Sequence, residues 1–173
     1  MRPESQPGHF RPLTWCTAFA LAFSLCAAMQ SGEAPAAESR AAESMESFPQ
    51  SALEIRTGNG RQWFNIRIAD SEARQEQGLM YVRALPVDAG MLFPQATPRV
   101  MTFWMKNTVI PLDILFVTAR GRIACLREQA TPLLLDLITC NKPVKAVLEI
   151  RGGEAAKRGI RVGDLVIHAA LHR

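Results

Sequence analysis

Eight polar side chains are set into otherwise apolar stretches of this sequence: Arg74, Arg83, Lys106, Asn107, Thr108, Asp113, Glu149 and Asp164. Two chemistries follow from these types. Asp113 and Glu149 are the two carboxylates that acid–base hydrolysis requires, with Lys106 as a cation able to separate their pKa values. Alternatively, Trp104, Lys106, Asn107, Thr108 and Asp113, joined by Arg74 and Arg83, supply a flat aromatic, hydrogen-bond donors and a carboxylate. That set suits a site for a sugar, a peptide or another small polar ligand. Each residue also has a purely structural use. Asn107 and Thr108 fit a turn that bonds its own backbone, and Asp113 fits a buried acid paired with Arg74, Arg83 or Lys106. Glu149 on an alternating strand fits a solvated or ion-paired position, and Asp164 after Gly163 fits a turn. A non-enzymatic binding or accessory module is the first expectation, and a small hydrolase using Asp113 and Glu149 is the alternative.

Other chemistries find little support in the residue pattern. Beyond the leader only His168 and His172 remain, and no His, Cys, Asp or Glu group has ligand spacing, so neither a metal nor a cofactor is expected. Met80, Met91, Met101 and Met105 have the thioethers that Cu(I) prefers, but methionines in apolar strands usually fill gaps in a core. Phosphate-binding glycine patterns and a G-x-S-x-G nucleophile are missing. The formal charge is a modest +4. From Phe48 onward 17 Lys and Arg stand against 11 Asp and Glu, scattered singly among apolar residues. This points away from nucleic acid and leaves an anionic membrane surface or cell-wall polymer as a possible contact.

The chain that must position these residues divides in two. Arg2, His9 and Arg11 precede an uncharged apolar run, Leu13 to Met29, followed by small residues, which is the layout of a secretory signal. Residues 1–36 are therefore expected to direct export to the periplasm or beyond. An uncleaved inner-membrane anchor is the alternative, because the run is about 17 residues long. Residues 37–51, rich in Ala, Glu, Ser and Pro, read as a disordered linker, and 52–173 as one domain. Within that domain Cys125 and Cys140 are expected to form a disulfide if the chain is exported, with two separate buried thiols as the alternative.

Apolar alternation at Leu53 and Ile55, then at Phe64, Ile66 and Ile68, flanks Thr57-Gly58-Asn59-Gly60 and predicts a β-hairpin. Ser71 to Gln77 reads as a short helix ended by Gly78, and Gly153 to Gly159 as another with its acid first and its bases last. Met91-Leu92-Phe93 is expected as a three-residue strand ended by Pro94. The apolar stretch from Val100 to Phe116 should form two strands separated by a Lys106-Asn107-Thr108 hinge. Glu128 to Pro143 reads as a long loop, Val144 to Ile150 as a strand and Leu165 to Ala170 as the last one. The expected class is mainly β, in the α+β sense, with two short helices and mostly antiparallel strands.

The residues Arg74 with Gly78-Leu79-Met80, Gly90 to Phe93, Phe103-Trp104-Met105-Lys106-Asn107-Thr108, Ile110-Pro111-Leu112-Asp113, Val147-Leu148-Glu149 and Gly159-Ile160 with Gly163-Asp164 resemble the family called domain of unknown function 192. The resemblance runs from about Ile55 to Ile167. It implies a small, compact, barrel-like β domain, often behind a signal peptide or membrane anchor. It implies no activity, cofactor or partner.

Overall fold

The computed structural model describes residues 44–171. The expected signal at 1–36 and linker residues 37–43 lie outside them. Where the linker expectation can be compared, at 44–51, the backbone is ordered: a 3₁₀ turn at Met45–Ser47 leads into strand β1, Gln50–Thr57. The reason is Phe48, a single aromatic in a polar stretch, which is buried in the core beneath the guanidinium of Arg74.

After β1 come β2 (Gly60–Ile68), helix α1 (Glu72–Gln77), β3 (Ala89–Arg99), β4 (Thr102–Phe103) and β5 (Leu112–Val117). These are followed by β6 (Ile123–Ala130), β7 (Ile138–Thr139), β8 (Val144–Arg151), helix α2 (Glu154–Arg158) and β9 (Leu165–Ile167). Seven strands form one sheet in the order β6-β5-β8-β3-β2-β1-β9, and β4 pairs with β7 in a separate ribbon. The mainly β class with two short helices is as expected. One pairing is parallel: β2 runs alongside β3 because the chain crosses over through α1 between them. The barrel expectation is corrected in one respect, since the sheet does not close by a continuous ladder. Its edges touch at a single bridge between Arg122 and Leu165, which Gly121 permits, because a Cβ there would come within 2.5 Å of the Val166 carbonyl.

Two further expectations are revised. The strand at Met91–Phe93 continues to Arg99 past Pro94, where the register shifts, so the proline sits at an irregularity rather than in a regular ladder. The expected loop after Glu128 begins later, because β6 extends to Ala130, and it contains β7.

Alternation along the central strands divides the apolar residues into two cores, one on each face. Leu92, Leu115, Val117, Ala146, Leu148 and Ile150 pack on the face under α2 with Leu53, Ile55, Phe64 and Ile66. Met91, Phe93, Ile114, Phe116 and Val147 pack on the other face with Leu79, Met101 and Met105. Central strands covered on both sides read as nearly continuous apolar runs, which explains the composition of β5 and β8. Over the second face, Cys125 and Cys140 form a disulfide with Cα atoms 5.9 Å apart. The double substitution C125S/C140S should lower the unfolding free energy by about 3 kcal/mol in the chain-entropy account. Urea titration with and without reductant checks this: reductant should bring the parent down to the variant and leave the variant unchanged.

Candidate ligand-binding groove

The apolar stretch after Val100 is tied to the sheet by the Phe103 ring together with the buried Met101 and Met105. Phe103 packs edge-on against Phe93 at 5.1 Å and against Phe116 at 6.1 Å between centroids. With Phe103 turned down, Trp104 turns outward and is 45% exposed, while Met105 is buried again. A turn follows, closed by the Thr108 N–H donating to the Met105 carbonyl at 3.1 Å. Asn107 holds a left-handed backbone there, at φ +56°, a conformation that asparagine tolerates better than most residues. This turn carries the Lys106 ammonium to 5.0 Å from the centre of the Trp104 ring.

Trp104 and Lys106 stand at the lip of a groove of about 580 Å³ between α1 and the segment 99–106. Phe93, Phe103, Met80 and Met101 give it an apolar lining, while Glu72, Glu76 and Arg99 add charge of both signs. An indole face, an apolar floor and a mixed-charge rim are what a sugar ring or a short peptide needs, since such ligands present both apolar faces and polar edges.

The remaining residues expected at a site lie elsewhere and do other work. Asn107 supports the groove from outside: its Nδ2 donates to the Tyr81 Oη at 2.9 Å, and the Tyr81 N–H donates back to the Asn107 carbonyl at 2.9 Å. That clamp fixes the turn that brings Met80 forward. Thr108 is buried, with its Oγ1 donating to the Lys106 carbonyl at 3.3 Å. Arg74 bonds Asp70 at 2.7 Å and the Ser47 carbonyl at 3.2 Å. Arg83 is exposed on the connection between α1 and β3. Asp164 accepts from the Arg161 N–H at 2.7 Å and is the turn residue its sequence context suggests.

Asp113 is fully buried, and the ion pair expected with Arg74, Arg83 or Lys106 is replaced by three backbone donors. Its carboxylate accepts from the N–H groups of Gln129 at 2.8 Å, Gly153 at 3.0 Å and Ala155 at 2.8 Å. Glu149 is 4% exposed, and among the described residues no hydrogen bond or ion pair reaches its carboxyl. Burial pushes its pKa up from 4.5 to about 8. These two acids do not meet. Asp113 is in register with Ile150, and Glu149 with Ile114, so by the two-residue period of a strand they project from opposite faces of the sheet. A shared acid–base mechanism has no geometry here.

A second cavity, of about 680 Å³, is lined by Ser51, Lys145 and His168 among others. The Ser51 Oγ and His168 Nε2 are 3.0 Å apart, which invites a nucleophile reading. The Ala170 N–H donates to Nδ1 at 3.1 Å, however, so in the neutral ring Nε2 carries the proton and donates to Ser51. The histidine is then in the wrong tautomer to act as a base toward Ser51. Among the described residues no three or more His, Cys, Asp or Glu side chains converge on a point that could hold a metal ion.

The sequence could not identify most of the groove. Met80, Met101, Phe93, Glu72 and Glu76 carry no mutual spacing signal, because they reach the groove from separate segments. Only the Phe103 to Lys106 run pointed toward it.

The model of the family domain of unknown function 192, described as uncharacterized ACR, matches residues 53–168. A protein of unknown function from Novosphingobium aromaticivorans is 37% identical, with a TM-score of 0.70, over 74% of this chain and 91% of its own. A candidate transcription regulator from Sinorhizobium meliloti is 34% identical, also with a TM-score of 0.70, over 72% of this chain and 97% of its own. No curated protein matches.

Proposed function

The chain belongs to the domain of unknown function 192 family, and on that premise we propose that it is a non-enzymatic, exported cell-envelope module that binds a small polar ligand with an apolar face, a sugar or a short peptide. The observation that carries the reading is the half-exposed Trp104 with Lys106 over its ring at the lip of the groove. An aromatic of that size left in water is more useful as a platform than as packing, and the cation beside it offers a polar anchor. Export is supported by the apolar run Leu13 to Met29 and by a disulfide suited to an oxidising compartment. The hydrolase alternative loses support because its two carboxylates face away from each other.

Calorimetric titration with amino-sugar oligosaccharides and short peptides tests the site. Trp104→Ala should weaken binding by roughly 10- to 100-fold, the worth of one stacked aromatic face. It should change the melting temperature little, because the ring is largely outside the core. Equal affinity in the parent and Trp104→Ala would remove the groove as the site.

A further inference from the structure

Leu133, Leu134, Leu135 and Leu137, on the connection between β6 and β7, are 59, 38, 64 and 70% exposed. Soluble surfaces scatter single apolar residues, whereas a cluster of this kind marks a contact surface. The loop is held in place from several sides. The Leu133 N–H donates to the Thr108 carbonyl and the Met105 N–H to the Leu134 carbonyl, both at 3.0 Å. The Cys125–Cys140 disulfide fastens its far end, and the Thr102 and Thr139 hydroxyls bond at 3.0 Å across β4 and β7. Leu133 itself is held at φ +62°, a left-handed conformation that a leucine keeps only where its surroundings impose it. The display of leucines is therefore built into the fold rather than left by a slack segment. Val109, 45% exposed, adjoins Thr108 and extends the apolar surface onto the motif segment.

We infer that this leucine loop docks on an anionic lipid surface. Charge favours that occupant: from Phe48 onward there are 17 Lys and Arg against 11 Asp and Glu. Arg127 lines the groove beneath the loop together with the loop's acid, Asp136. Lys142, two residues past Cys140, reaches the Ala124 carbonyl. The same chain also carries the uncharged run Leu13 to Met29, which the proposed function reads as its route to the cell envelope. Leucines at a loop tip enter the acyl boundary while neighbouring lysines and arginines stay at headgroup level. The inference rests on the envelope location in the proposed function and is independent of the groove.

The test uses the full chain with Trp15, Trp63 and Trp104 replaced by Phe and with L135W as the sole reporter. It is mixed with phosphatidylcholine vesicles, with and without phosphatidylglycerol, some carrying brominated acyl chains. The expected result is a blue-shifted emission quenched several-fold by bromine, with half-saturation at least tenfold lower in lipid when phosphatidylglycerol is present. Adding L137D should remove the quenching even if the leader still holds the chain on the vesicles. Position 137 is exposed, so the melting temperature should not move; if it falls, L137S repeats the measurement. Emission unchanged on vesicles that carry the protein, or quenching that survives L137D and L137S, overturns the inference. A blue shift that appears without lipid and grows with protein concentration also overturns it, and assigns the surface to a second copy. Groove titrations in the parent and the L137D single variant should agree, so failure here and failure of the groove reading remain distinguishable.

Discussion

Asp113→Asn should lower the unfolding free energy by about 3–5 kcal/mol, the range for removing one partner from a buried charged network. Its carboxylate is fully buried and accepts from three backbone N–H groups that lie 16, 40 and 42 residues along the chain. One of them belongs to the first turn of α2. The N-cap residue of that helix, Gly153, has no side chain to supply a capping bond, so Asp113 caps it from a neighbouring strand. Another comes from Gln129, held at φ +45° on β6 opposite the irregular register at Asp113. Asparagine has nearly the same shape but only one carbonyl oxygen, and its amide N–H₂ would face a backbone donor. Urea unfolding at neutral pH measures the loss. The groove lies on the other face of the sheet, so ligand affinity should persist at temperatures where the variant is folded. A loss below about 1 kcal/mol would sink the capping account.

Glu149 should make stability fall as pH rises. Its folded pKa is about 8 against 4.5 for the ordinary group, so between those values the folded state binds more protons than the unfolded one. The contribution of the neutral acid is fully present below about 4.5 and is lost as pH approaches about 8. The loss is on the order of a few kcal/mol at ~1.4 kcal/mol per pH unit. Glu154 works in the opposite direction. Burial tends to raise its pKa, but hydrogen bonds and charge from Lys157 and Arg158 outweigh that and hold it below 4.5. Its stabilisation is present above that value and is lost as pH falls through its lowered pKa, so the two windows do not overlap. Glu149→Gln keeps the shape and removes the ionisation. It should match the parent near pH 4.5, exceed it by a few kcal/mol near pH 8, and flatten the profile between. Denaturant titrations across pH 4.5 to 9 decide it, and a parent profile already flat in that window would refute the assignment.

Much of the architecture was legible because it is local. Alternation at Leu53, Ile55, Phe64 and Ile66 marked the first hairpin, and Gly78 and Gly159 marked the ends of two short helices. The turn at Lys106-Asn107-Thr108 could be read from residue types that favour turns, and Asn107 does take the left-handed backbone there. Phe48 was missed because one buried ring in a polar segment leaves no periodic trace. The polar set was misjudged for a related reason. Residue type shows that Asp113 must be satisfied if buried, but not by which donors, and those donors are distant backbone amides rather than any of the arginines or lysines nearby in the pattern.

The sequence by itself determined where strands and turns fall, because side-chain spacing and backbone preference act over a few residues. Which face of the sheet each acid occupies was decided only by the tertiary structure, through the register of β5 against β8. So were the proton that Glu149 keeps near neutral pH and the groove that α1 and the 99–106 segment form around Trp104 and Lys106. Ionisation and cavities depend on what distant segments place around a group, and that environment exists only once the chain has folded.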